Sequence, residues 1–123
     1  MDRLFAGLGA LFALTAVGLG AFAAHGLRSH LPATMVEVFE TGVRYQMYHA
    51  LGLFAVAWET ARWPGVATSA AGWLFVAGTV LFCGSLYALS TSGARWLGAV
   101  TPIGGFAFLL GWLALGWAAW SAA

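Results

Sequence analysis

Glu37, Glu40, Arg44, Tyr45, Tyr48 and His49 follow one another at intervals that, at 100° per residue, keep all six within one half of a helical wheel. Two carboxylates, a guanidinium, two phenols and an imidazole on one face could pair internally, hold a polar head group, pass a proton or hydrogen-bond a quinone-like ring. Glu40 and Arg44 stand four apart with the acid first, the favoured order for a helical ion pair. His25 closes the preceding apolar run and brings a second imidazole to the same membrane side. Two histidines from neighbouring helices at similar depth could ligate a haem iron or a metal ion, but no third ligand stands at a diagnostic spacing. Glu59 falls on the same wheel face and lies beside Arg62, so it reads as a rim ion pair or as a buried acid relaying protons. The seven residues His25, Glu37, Glu40, Arg44, Tyr45, Tyr48 and His49 are therefore either an anchoring stripe that satisfies its own charges or a ligand site, and the sequence leaves both open. No nucleophile–base pair, phosphate-cradling loop or HExxH-type arrangement occurs, so no enzyme activity, cofactor or metal is expected.

The elements that must carry these groups are set by composition. The chain has 123 residues, 62% hydrophobic and 7% charged. Soluble domains carry roughly a quarter charged residues, so lipid is the expected solvent, and residues 1–123 fit one membrane domain. A formal net charge of +1 argues against nucleic acid as a partner, since that needs a basic patch. All five basic residues are arginines, which excludes a Schiff-base or phosphate-loop lysine. Cys83 stands alone in an apolar run, which excludes an intrachain disulfide and a cysteine-rich zinc site and marks it as a small buried residue.

Hydropathy predicts four spans, at about residues 4–24, 44–62, 70–90 and 102–120. The first is long for a signal-peptide core and is followed by further membrane segments, so it reads as a retained span. Gly26 and Pro32 bracket a polar turn. From Pro32 to Trp63 nothing but glycine interrupts the helical pattern, and at 1.5 Å per residue that length reaches about 46 Å, more than a ~30 Å hydrocarbon core. Residues 32–43 are therefore predicted to lie as an amphipathic interfacial helix before the second span, with Gly42 the bend. Thr68 or Ser69 is expected to cap the third helix and Thr101, ahead of Pro102, the fourth, which leaves Trp96 to Val100 as a short apolar approach.

Small residues recur at alternating spacings of three and four at Gly9, Ala13, Ala16 and Gly20, and again at Gly104, Ala107, Gly111 and Ala114. Two such seams predict that the first and fourth helices pack closely, within one subunit or across a dimer. Trp58, Trp63, Trp73, Trp117 and Trp120 gather at one end of the spans and Tyr45, Tyr48, Tyr87 and Trp96 at the other, as two aromatic belts. The expected fold is an all-α integral membrane four-helix bundle.

Four stretches also carry a resemblance: Gly20 to Leu27 (GAFAAHGL), Phe39 to Leu51 (FETGVRYQMYHAL), Gly84 to Tyr87 (GSLY) and Leu97 to Gly105 (LGAVTPIGG). In that order they resemble the family called domain of unknown function 423, which includes small bacterial inner-membrane proteins and a eukaryotic relative, transmembrane protein 256. The resemblance implies a multi-pass protein of the bacterial inner (cytoplasmic) membrane with no assigned activity. It singles out His25, Glu40, Arg44, Tyr45 and His49 without supplying a reaction. The function expected from both lines is binding, as a homo-oligomer or an accessory subunit of a membrane complex, in contact with membrane lipid. A carrier or proton/ion pathway formed by an oligomer, and a quinone- or haem-binding redox site, are the rivals.

Overall fold

Apolar runs punctuated at Gly26, Pro32, Pro64 and Gly93 form helices that stop where proline or glycine makes a tight turn the easier course. In the computed structural model, which describes residues 1–122, α1 runs Asp2–His25, α2 Ala33–Arg62, α3 Val66–Gly78, α4 Gly84–Ser92 and α5 Thr101–Ser121. No strand occurs among the described residues. Short 3-10 turns at Leu27–Ser29 and Arg95–Ala99 lie in two of the connections, and a π turn at Thr79–Cys83 joins α3 to α4 as one rod. Gly93 closes α4 in the left-handed conformation, with φ 75°, which glycine adopts without penalty.

Three stretches are long and apolar enough to cross a membrane: Asp2–Ser29, Val66–Ser92 and Arg95–Ser121. Their outward faces are oily, with Leu14 70%, Phe106 67% and Leu113 69% exposed. A water-soluble monomer rarely leaves so continuous an apolar surface uncovered, so this surface is built for lipid. α2 is the exception, because Glu37, Glu40, Arg44, Glu59 and Arg62 all lie on it.

The two small-residue seams meet different partners from the expected ones. α1 lies along α2, and α5 lies along α3. A Cβ at Gly9 would come within 2.9 Å of the Ala50 carbonyl oxygen, and one at Gly20 within 3.3 Å of Val43, both on α2. On the other seam, a Cβ at Gly104 would meet the Phe82 backbone nitrogen at 2.3 Å, and one at Gly111 the Phe75 ring at 2.6 Å. Ala16 is buried, while Ala13, Ala107 and Ala114 are half-buried. The first and last helices are thus not each other's close neighbours within the chain; each fits its glycines against a helix whose large side chains fill the gap. The two pairs join through α2, which packs on α3, the π turn and α4. Phe5, Leu53, Val56, Phe75, Phe108 and Leu115 form the shared core.

Three local expectations also change. α2 is one uninterrupted helix through Gly42. That glycine serves a close approach, since a Cβ there would come within 2.7 Å of the Tyr87 ring. Thr101 does not cap α5: its hydroxyl lies 2.6 Å from that of Ser85, tying the start of α5 to α4. Thr68 likewise sits inside α3, where it donates to the Gly65 carbonyl.

Candidate functional site

α2 turns one face inward, through Val36, Phe39, Gly42, Gln46, His49 and Leu53. Two polar side chains lie on this face, and both are satisfied by the chain itself. Gln46, 5% exposed, donates from Nε2 to the Phe12 carbonyl at 2.9 Å and to Thr15 Oγ1 at 2.6 Å, while its Oε1 accepts from the Tyr87 hydroxyl at 2.6 Å. One amide therefore ties α1, α2 and α4 together. The Thr15 hydroxyl can accept from Gln46 because its own hydrogen goes to the Leu11 carbonyl.

His49, 4% exposed, receives the Trp112 indole N–H at Nε2, 3.0 Å away. An indole nitrogen can only donate, so Nε2 accepts and the ring hydrogen sits on Nδ1, which donates to the Tyr45 carbonyl at 2.7 Å. The imidazole is neutral in this arrangement and has no free lone pair. It also stacks on Phe108, with centroids 3.5 Å apart and planes 6° apart.

The groups expected to share one face with His49 do not form one cluster. Glu37, Glu40 and Arg44 line a surface pocket of ≈ 500 Å³ with Arg28, Leu31 and Val36 at the start of α2. Glu40 pairs with Arg28, not Arg44, at 3.6 Å, and Arg44 donates to the Thr41 hydroxyl at 3.1 Å. The turn after α1 folds Arg28 over α2, which puts it in competition with the helical partner. Tyr45 and Tyr48 point outward, 38% and 52% exposed, with their rings in edge-to-face contact. His25 is exposed, and it lies thirteen residues past Phe12, the α1 residue that Gln46 reaches. That is roughly 20 Å along the helix, so the two histidines are not at similar depth. His49 also has no nitrogen to offer, and the paired-histidine ligand set is not assembled. Among the described residues no group of three or more His, Cys, Asp or Glu side chains is placed to hold a metal ion. Glu59 does not pair with Arg62: the guanidinium lies over the Trp58 ring at 4.7 Å, and one Glu59 carboxylate oxygen is buried without a hydrogen-bond partner.

A second cavity, ≈ 340 Å³ and almost wholly apolar, opens between α2 and α5 beside Tyr45 and Tyr48. Its walls are His49, Phe82, Phe108, Leu109 and Trp112, with Gly105 at its edge. Helical-wheel reasoning assigns no site role to Gln46, Tyr87 or Trp112. Tyr87, expected in an aromatic belt, instead turns its hydroxyl inward to Gln46. The available signal for Gln46 was an amide within an otherwise apolar face, one turn from His49; for Trp112, a tryptophan in mid-helix, away from either interface.

An all-helical membrane protein with a polar-bearing second helix is the class that this fold and site define. The chain belongs to the family described as Protein of unknown function (DUF423), whose model matches residues 19–105. It is 55% identical over 86 residues to the UPF0382 membrane protein YwdK of Bacillus subtilis (69% of this chain, 70% of that one). It is 47% identical over 113 residues to the UPF0382 membrane protein SSP2132 of Staphylococcus saprophyticus (92% of this chain, 93% of that one). A UPF0382 membrane protein of Staphylococcus epidermidis, SERP0230, is 46% identical over 113 residues, covering 92% of each chain. No solved structure matches. The matched region contains the whole of α2 and α4 and the start of α5 through Gly105, so every polar side chain described above except Thr15 and Trp112 lies within it.

Proposed function

We propose that this is a non-enzymatic, four-span helical bundle of the bacterial inner membrane that acts through binding, as a homo-oligomer or as an accessory subunit of a membrane complex. α2 is the fourth span on this reading, shielded by α1 on one flank and by the α3–α5 pair on the other. The observation that carries the reading is the division of α2's polar groups. Its inward amide and imidazole are hydrogen-bonded at every usable atom, while Glu37, Tyr45 and Tyr48 face outward with no side-chain hydrogen bond or ion pair among the described residues. Polar groups in a bilayer are costly unless they find partners, so an outward set invites an external one.

The same division favours binding over conduction, because a proton or ion path needs polar groups that can exchange partners, and those of Gln46 and His49 are committed. It also weighs against haem ligation by His49. Purification in a mild detergent followed by light scattering tests the proposal. An oligomer, or a co-purifying membrane protein in stoichiometric amount, is the expected result; a lone monomer without a partner overturns it. Reconstituted vesicles are expected to show no ion flux that Arg44→Ala alters.

A further inference from the structure

We infer that the pocket at the start of α2 seats the head group of a zwitterionic phospholipid with a primary amine, its phosphate against Arg44 and its ammonium against Glu37. The inference deepens the binding reading, by naming a partner for part of the outward face of α2, and rests on it.

Charge decides what the pocket can hold. Its lining has two guanidinium groups, Arg28 and Arg44, and two carboxylates, Glu37 and Glu40. One of each sign is used internally, since Arg28 pairs with Glu40 at 3.6 Å. Among the described residues Arg44 meets no carboxylate, and Glu37 makes no side-chain hydrogen bond or ion pair. A purely anionic ligand would satisfy Arg44 and be repelled by Glu37, and a simple cation would do the reverse. A ligand with both charges satisfies both.

Spacing sets its dimensions. Glu37 and Arg44 stand seven residues apart, two helical turns, and so share one face of α2. Thr41 lies between them, and its hydroxyl accepts from Arg44 Nη2 at 3.1 Å and donates to the Glu37 carbonyl at 3.0 Å. The guanidinium is thereby drawn back to the level of Thr41, four residues or ~6 Å of helix axis from Glu37. A phosphate and an amine joined by two carbons suit that gap, and a guanidinium is the cation best shaped for phosphate oxygens.

Depth identifies a lipid. A Cβ at Gly20 would lie 3.3 Å from the Val43 side chain, so Arg44 stands level with the last turns of the α1 apolar run, which ends at Ala24. From there its side chain turns toward Thr41 and the start of α2, away from the hydrocarbon, as cationic side chains near the ends of spans do. The two open charges thus bracket the level at which the first span leaves the bilayer, where phospholipid head groups lie. Leu31 and Val36 give the pocket an apolar wall beside these charges, which suits the glycerol and first methylenes of a lipid better than a free ion. Its volume of ≈ 500 Å³ is within the range of small-molecule sites, about 300–1,000 Å³.

The class of amine follows from Glu37. A carboxylate accepts N–H hydrogens; a primary ammonium has three to give and a quaternary choline none. Phosphatidylethanolamine therefore fits better than phosphatidylcholine, and better than phosphatidylglycerol, which brings no cation.

The test titrates the full chain in dodecyl maltoside with the dioleoyl forms of these three lipids, read by native mass spectrometry. Phosphatidylethanolamine is expected to bind the wild type about threefold or more tighter than either rival, the scale of one charge-assisted hydrogen bond at a wet surface. Glu37→Gln is expected to abolish the preference over phosphatidylcholine, and Arg44→Gln to weaken all three lipids by about threefold or more. Arg62→Gln, at the far end of α2, is expected to change none of them. Equal affinity for the three lipids in the wild type, or a preference for phosphatidylglycerol, overturns the inference, and so does a preference that survives Glu37→Gln. Methylating the lipid amine keeps its charge and removes N–H donors one at a time with the protein unaltered. Affinity is expected to fall at each step, and no fall overturns the inference whether or not the variants fold. Glycerophosphoethanolamine, the same head group without acyl chains, is expected not to displace the lipid at equal concentration; displacement would make this a site for a soluble solute and overturn the lipid assignment. Light scattering on the same samples separates this outcome from the oligomer question: selective lipid binding by a monomer overturns only the assembly reading, and an oligomer without lipid preference overturns only this one.

Discussion

Gln46 and His49 show what a polar side chain must do to sit inside a lipid-dissolved protein. Each is buried, and each finds a partner for every strong hydrogen-bonding atom it has. Hydrogen bonds between membrane helices average about 0.6 kcal/mol and reach about 1.7. Gln46→Leu removes three of them and leaves the half-buried Tyr87 hydroxyl without its acceptor, so a loss of about 1–3 kcal/mol is expected in reversible detergent unfolding. Trp112→Phe removes the one donor to His49 Nε2 and is expected to cost about 1 kcal/mol by the same measurement. Arg28→Ala is expected to change stability by less than about 1 kcal/mol, because the Arg28–Glu40 pair lies at the exposed rim at 3.6 Å. The sequence made these residue types visible but not their directions. A wheel placed His49 with Tyr45 and Tyr48; the difference between inward and outward depends on which neighbour covers that flank of α2, and no local pattern states that.

At the scale of elements, glycines decide which helices touch. Gly104 and Gly105 are adjacent in sequence and opposite in consequence. A methyl at Gly104 would overlap Phe82 backbone atoms at 2.3 and 2.7 Å, which cannot swing aside, whereas one at Gly105 touches nothing closer than 3.8 Å. Gly104→Ala is therefore expected to destabilise the protein by about 1–3 kcal/mol. Gly105→Ala is expected to be neutral or to stabilise it by up to about 1 kcal/mol, the usual helix-propensity gain. Parallel thermal melts in one detergent check the pair, and equal effects would contradict the packing described. The repeating small residues lie where α1 and α5 bring glycines close to a neighbouring helix. Their partners were not legible, because a seam specifies how near another helix can come and not which helix supplies the bulk. Gly42 carries a related lesson: a glycine that reads as a weak point in α2 is the seat of the Tyr87 ring in an unbroken helix.

For the whole molecule, the prediction concerns sidedness. If α2 crosses the bilayer with the other rods, Ser29 and Ser92 lie on one side and Gly65 on the other. Single cysteines placed at these positions are expected to react with an impermeant maleimide from opposite faces of sealed vesicles. Cys83, 1% exposed within the core, is expected to stay unlabelled and serves as the internal control. Labelling of Gly65→Cys from the same side as Ser29→Cys would mean that α2 does not cross.

Composition by itself determined that this chain is helical and belongs in a membrane. With 62% hydrophobic and 7% charged residues, backbone groups in lipid must bond within their own segment, and turns must fall where glycine and proline stand. The motifs determined the family. Only the tertiary structure decided that Arg28 takes Glu40 from Arg44, that Gln46 joins α1 and α4 to α2, and that Trp112 fixes the hydrogen on His49. These are pairings between residues 12 to 63 positions apart. They depend on which helices lie side by side, and a wheel drawn for one helix contains no information about its neighbour.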